Sequence, residues 1–313
     1  MIAHKTKGKP SGFAARKAAT KRSAIAAVKR GNVKSARMTA TAARLLLTVL
    51  DTSARLKERT QALAQIGNNV VGDRETFKQV VALVKDATAN ATLRSNALSQ
   101  LQAATFDPSA FAPYRAAYMT VLRGLRNDPD TGIRQRAFGI LAREYDPDTQ
   151  AMLLAGLDGT REALLPPEKA LQLLSYDPHA GAYEVARKIE KAPPNELARR
   201  EALRVLAADA NSVNLFEGVL RNKKEPTEVR QIAAGALNHL APQHMQNIAR
   251  DIALDDSESD ELRTVGLTAL ANFGDHSVLT ADAQLQEQVR KIADGTASAG
   301  LHAAAAKFKV RYD

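Results

Sequence analysis

The chain has no cysteine and no tryptophan, and aromatic residues make up only 4% of its 313 positions. Without cysteine there are no disulfide staples, no thiolate zinc sites and no cysteine nucleophiles, and a reducing compartment is the natural setting. Without tryptophan, sequence-specific reading of stacked bases in single strands is disfavoured. Long apolar runs are missing too: the longest, Leu45–Leu50 (LLLTVL), is far too short to span a bilayer. The first residues carry no hydrophobic secretory core, so the cytoplasm is the expected location and no membrane association is expected. β-branched runs are scarce, whereas alanine and leucine dominate, and the local preference is helical throughout. An all-α fold is expected.

Negative charge is absent from one region. Residues 1–50 hold Lys5, Lys7, Lys9, Arg16, Lys17, Lys21, Arg22, Lys29, Arg30, Lys34, Arg37 and Arg44 with no Asp or Glu. The remaining 32 basic and 34 acidic residues fall in 51–313, so the whole net charge of +10 comes from the first fifty residues. Two segments are therefore expected, a basic alanine-rich arm over 1–50 and a slightly acidic body over 51–313.

The body repeats itself every 31 to 40 residues. The recurring stretch is a hydrophobic residue, then Arg-x-x-Ala-Leu, as in ERTQALAQI (Arg59), LRSNALSQL (Arg94), IRQRAFGIL (Arg134), ARREALRVL (Arg199), VRQIAAGAL (Arg230) and LRTVGLTAL (Arg263). Two copies are degenerate, with Pro167 and His302 at the arginine position. Most copies follow another amphipathic stretch, such as Phe77, Val80, Val81 and Val84, so each unit reads as a helix pair that must stack on its neighbours to bury its apolar face. This pattern resembles the HEAT-repeat family, in which a turn residue precedes a Val-Arg-x-x-Ala second helix. The resemblance implies a right-handed α-solenoid of about seven to eight helix pairs, its second helices lining a concave surface. It implies no single activity, since such arrays serve as adaptors, carriers, nucleic-acid binders and a few enzymes.

Asp-Pro steps recur at the turns: NDPD at 127–130, FDPSA at 106–110, and Asp146-Pro147 and Asp177-Pro178, each after a tyrosine. Asp128 and Asp130 have the spacing of the first calcium-loop ligands, but Ile133 stands where the loop glycine belongs and Gly139 where its glutamate belongs. Helix capping is the favoured reading, with aspartate accepting at the N-cap and proline at the first helical position. Phe106, Tyr145 and Tyr176 are then expected to plug the ends of second helices. Leu164-Leu165-Pro166-Pro167 should shorten one second helix and change the local curvature.

On a helical wheel the motif alanine, leucine and next apolar residue lie within about 60° of the motif arginine, whose stem thus points at the core seam. A cation in the first turn of a helix opposes the macrodipole and needs a carboxylate. Asp130 for Arg134, Glu196 for Arg199 and Asp260 for Arg263 are the expected partners, in a ladder tying adjacent repeats. The alternative is a row of arginines gripping phosphates.

Catalytic constellations are missing. GNNVVG at 67–72 has the glycine spacing of a phosphate loop, yet Asp73-Arg74 follows where Lys-Ser/Thr is required. GTASAG at 295–300 lacks the geometry of a nucleophile elbow. His239 and His244 bracket Pro242 without metal-ligand spacing. No cofactor, no metal and no enzymatic activity are expected. Some HEAT-like proteins are alkylpurine DNA glycosylases, but no Tyr or Phe cluster with Asp can be matched to that pocket here, so a DNA-repair enzyme is only a third reading.

Acid-free Lys/Arg tracts follow a phosphate backbone by charge alone, which makes nucleic acid the favoured partner of the arm. An acidic protein surface is the alternative, in which the protein is purely an adaptor. The polar positions between core residues of the second helices, Gln135, Arg136, Arg200, Arg204, Gln231 and Thr264, are the expected contacts for a protein partner on the concave face.

Overall fold

A computed structural model describes residues 40–177 and 181–312. The chain divides after Ile133 into two compact units. Among the described residues every regular element is helical. The first unit holds α1 (Ala40–Leu50), α2 (Leu56–Ile66), α3 (Arg74–Lys85), α4 (Ala91–Ala104), the single turn α5 (Pro108–Phe111) and α6 (Arg115–Leu125). Helix α7 (Thr131–Arg143) starts at the end of that unit. The second continues with α8 (Pro147–Leu157), α9 (Pro167–Leu174), α10 (Ala182–Lys191), α11 (Glu196–Leu206), α12 (Val213–Arg221) and α13 (Thr227–Leu240). It closes with α14 (Pro242–Leu254), α15 (Asp260–Phe273), the short α16 (His276–Ala281), α17 (Ala283–Asp294) and α18 (Ala299–Tyr312).

Within each unit the stacking is that of an α-solenoid: helices pair antiparallel and like packs against like. In the first unit α1 packs on α2 and α3 on α4, while first helices α1, α3 and α6 touch in sequence and α2 touches α4. In the second unit the second helices α9, α11, α13, α15 and α18 form one continuous layer. The reason lies in the repeated motif. Its small residue sits where helices approach most closely, and Ala62, Ala97, Ala137, Ala202 and Ala233 are all buried there. The larger apolar residues beside it, among them Leu63, Leu98, Leu141, Leu203, Leu237 and Leu267, are fully buried. Each contributes about 1.5–3 kcal/mol relative to an exposed position.

Capping side chains set the helix starts. Asp73 accepts from the amides of Glu75 and Thr76 at 2.9 and 3.0 Å, so the GNNVVG stretch is a 3₁₀ turn followed by a capped helix. Asp107 and Asp146 cap α5 and α8 with proline at the first helical position, as the sequence predicts. The other two Asp-Pro steps differ. At 127–130 the cap is Asp130, which accepts from the Ile133 amide at 2.8 Å, and α7 begins at Thr131. After Asp177 the next helix starts only at Ala182, behind Gly181 at φ 74°. Pro178, His179 and Ala180 lie outside the described residues.

The aromatic plugs are a second correction: Phe106 is 87% exposed, Tyr145 63% and Tyr176 44%. They follow the last helical turn, where the chain has already bent away from the core. Tyr145 shows the geometry. Its φ is 54°, and the next amide, Asp146, donates back to the Leu141 carbonyl at 3.0 Å, the closing bond of a Schellman C-cap. A left-handed residue at that position favours glycine, and the exposed ring gives little in return. Tyr145→Gly is therefore expected to raise stability by about 0.5 kcal/mol, read as a higher urea midpoint at unchanged slope.

The expected shortening of the second helix after 164–167 is present. Helix α9 has 8 residues against 11 in α11 and 14 in α13. Pro166 and Pro167 fix its start, and the preceding segment joins it to α8. An apolar cleft of about 400 Å³ opens beside it, lined by Phe138, Met152, Leu157, Leu164, Ala170 and Ile189, with Lys188 also on its wall.

Candidate functional site: the arginine ladder and the face of the second helices

Three of the six motif arginines are buried, Arg94 at 1% exposed, Arg230 at 4% and Arg263 at 9%, and Arg59, Arg134 and Arg199 are half-buried. Their partners are not the carboxylates three or four residues earlier. In Arg230 the Nε donates to the Leu220 carbonyl at 2.7 Å, while Nη1 and Nη2 each donate to a Glu258 carboxylate oxygen at 2.7 Å. Arg94 repeats the arrangement, with Nε on the Val84 carbonyl at 3.0 Å, Nη1 on Asp128 Oδ1 at 3.2 Å and Nη2 on Asp128 Oδ2. Arg199 makes the same forked contact to Glu225, 2.8 Å on both arms. Each staple thus joins the end of its own first helix to a carboxylate in the inter-helix turn of the next repeat, 26 to 34 residues on. Forked pairs of this kind are charge-assisted and geometrically specific.

The local carboxylates have other duties. Asp130 caps α7, and Asp260 accepts from the Ser298 amide at 2.6 Å. Arg134 Nε donates to the Leu164 carbonyl at 3.0 Å, in the repeat whose own arginine is replaced by proline. Asp128 is occupied by Arg94 and by the Asp130 amide at 3.0 Å, so the acidic turn is a socket for an arginine. Among the described residues no group of three or more histidines and carboxylates is placed to hold a metal. Further rungs outside the motif tie first helices to the next turn: Arg250 to Asp282 and Arg187 to Asp209.

The ladder carries a pH signature. The hydrogen bonds from Arg199 hold the Glu225 carboxyl below its ordinary value, and those from Arg250 do the same for Asp282. A lowered folded-state value means that the stabilisation is complete above the unfolded value of about 4 and disappears as pH falls through the lowered one. Melting temperature is expected to be level between about pH 6 and 8 and to fall below about pH 4. In Glu225→Gln the neutral-pH value should drop and part of the acid slope should vanish with it.

The sequence places six polar positions on the second helices, and the structure distributes them over α7, α11, α13 and α15. Gln135 and Arg136 of α7 are half-buried. Arg200 pairs with Glu228 of α13 and Arg204 with Glu201, so neither cation stands alone. Gln231 is half-buried on α13, and the Thr264 hydroxyl donates to the Asp260 carbonyl at 2.7 Å. Leu197, 52% exposed, shares the helical face of Arg200 and Arg204 and was not singled out from the sequence. Its spacing of three and seven residues from them is the signal that could have found it.

Of the arm's cations only Arg44 falls within the described residues, exposed on α1, whose Ala42, Leu46 and Val49 are buried. Lys5, Lys7, Lys9, Arg16, Lys17, Lys21, Arg22, Lys29, Arg30, Lys34 and Arg37 lie outside them. No helix among the described residues is long and apolar enough to cross a membrane.

No family model matches this chain, and no curated protein does. Among solved structures, the complex of CpcE and CpcF of phycocyanin lyase from Nostoc sp. PCC7120 is similar at 13% identity, over 88% of this chain and 97% of that one, with a TM-score of 0.24. The chain's own helices establish the fold: among the described residues each of the two units is an all-α stack of helix pairs.

Proposed function

We propose that the protein is a non-enzymatic helical-repeat scaffold whose basic arm binds nucleic acid through the phosphate backbone while the face of its second helices takes a protein partner. The observation that carries this reading is the separation of charge: twelve cations and no acid in residues 1–50, against a nearly balanced body. The ladder strengthens it, because arginines that could have gripped phosphates are spent on carboxylates of the neighbouring repeat. The cationic excess is left to the arm. Recognition of this kind is independent of base sequence and strongly dependent on salt. On the second-helix face, Leu197 flanked by Arg200 and Arg204 offers an apolar contact within a charged rim, with Gln135, Arg136, Gln231 and Thr264 as further polar contacts.

Fluorescence anisotropy of the full-length protein on a random DNA duplex and an RNA duplex, across a salt series, tests the arm. Engaging six phosphates should give log affinity falling with log salt at a slope of roughly −5 for DNA. Absence of binding at low salt would remove the nucleic-acid role and leave the arm to an acidic protein surface.

A further inference from the structure

One rung of the ladder is incomplete. Arg263 is buried, yet its Nε has no acceptor, and its Nη2 reaches only one oxygen of Asp256, at 3.0 Å. In Arg59, Arg94 and Arg230 the same Nε donates to the carbonyl ten residues back. The carboxylates that complete the other rungs, Asp128, Glu225 and Glu258, stand five or six residues ahead of the next motif position. Ahead of His302 those places hold Ala297 and Thr296, neither of which can accept a guanidinium with a carboxylate.

A cavity of about 350 Å³ opens at this point, walled by Arg263, Gln288, Lys291, Asp256 and Asp260. Its two acids are already engaged. One Asp256 oxygen accepts from both Arg263 and the Gln288 amide, and Asp260 holds the Ser298 amide. Asp256 itself is 79% exposed at its side chain and offers one oxygen to one guanidinium nitrogen, where Glu258 offers both of its oxygens to Arg230. The ammonium of Lys291 makes no ion pair among the described residues.

We infer that this cavity is a carboxylate-binding site, in which a ligand supplies the group that the chain itself supplies to Arg94, Arg199 and Arg230. The carboxylate accepts from Nη1 of Arg263, beside the Nη2 that Asp256 holds, with Lys291 as the second cation. A planar, forked guanidinium matches a carboxylate better than a spherical anion, so chloride is not an equivalent ligand.

The test uses the full chain and reads the Arg263 side-chain Nε–H resonance by NMR. Titration with glutarate is expected to shift that resonance saturably, while sodium chloride at equal ionic strength does not. A blocked Gly-Glu-Gly peptide run alongside tells a side-chain carboxylate from a free acid. Ala297→Glu, which restores the chain's own carboxylate at the register of Glu225 and Glu258, should abolish the glutarate response and raise the melting temperature by roughly 2 °C. Should that variant fold poorly, Thr296→Asp, at an exposed position in the register of Asp128, serves the same purpose. No saturable shift with glutarate or peptide would overturn the site, as would an unaltered glutarate response in a folded Ala297→Glu or Thr296→Asp protein.

Discussion

Asp128→Ala is expected to destabilise the protein by about 3–5 kcal/mol, among the largest effects available to a single substitution in this chain. The wild-type carboxylate is 5% exposed and faces an Arg94 side chain that is 1% exposed. Removing it leaves a guanidinium buried and short of its counter-charge, with two of its nitrogens still held on the Val84 carbonyl. The double variant Arg94→Met/Asp128→Ala should recover about half the loss, since a buried pair replaced by apolar groups is close to neutral. Its deficit is the Val84 carbonyl, left without a donor at a cost of about 1–3 kcal/mol. Urea unfolding of the three variants reads these differences, and a single-variant loss below about 1 kcal/mol would mean that the rung is solvated and structurally idle.

The second large effect is expected from Gly266→Val. Gly266 takes the small-residue place in the motif of α15, and a Cβ there would sit 2.8 Å from the Ala249 carbonyl oxygen and 3.5 Å from Ile252 Cγ2. The near atom belongs to backbone of α14 and cannot swing aside. Overpacking of this kind costs about 1–3 kcal/mol, and the added β-branch in a helix increases it. Gly235→Ala provides the contrast. That glycine is exposed in the interior of α13, and a Cβ would meet nothing within 4 Å. Better helix propensity alone should stabilise it by roughly 0.5–1 kcal/mol. Opposite signs at two helix glycines would locate the tight seam between α14 and α15.

What the sequence made legible was local or periodic. The burial of Arg94, Arg230 and Arg263 follows from three- and four-residue spacing on one helix, and the shortened α9 follows from Pro166 and Pro167. The arginines' partners were not legible because the choice is made across repeats. Glu196 precedes Arg199 by three residues, but Glu225 sits 26 residues later and is the one the forked guanidinium meets. The same limit applies to Asp128, which has the sequence neighbourhood of an N-cap and acts as the counter-ion of Arg94. Tyr145 was misplaced for a different reason. Hydrophobicity argues for burial, but a left-handed C-cap directs its ring to solvent, and nothing in the alternation of residues announces φ 54°. At the candidate site, Arg200 and Arg204 were correctly placed on a second helix, but the pairing of Arg200 with Glu228 was not legible, because it is made only when α11 and α13 lie side by side; Glu201, three residues before Arg204 on the same helix, was within reach of the local spacing.

The central claim is a division of labour, in which cations of the body hold the helix pairs together and cations of the arm meet the anionic partner. It is tested most directly by comparing two charge-reversed proteins for duplex binding at low salt. One carries Glu at Lys21, Arg22, Lys29 and Arg30, the other at Arg136, Arg200 and Arg204. The account predicts that the first loses duplex affinity by at least tenfold with an unchanged melting temperature, while the second keeps its affinity and melts lower because the tie from Arg200 to Glu228 and the pair of Arg204 with Glu201 on the same helix are gone. The reverse pattern, duplex affinity lost with the body's arginines and retained without the arm's, would contradict it.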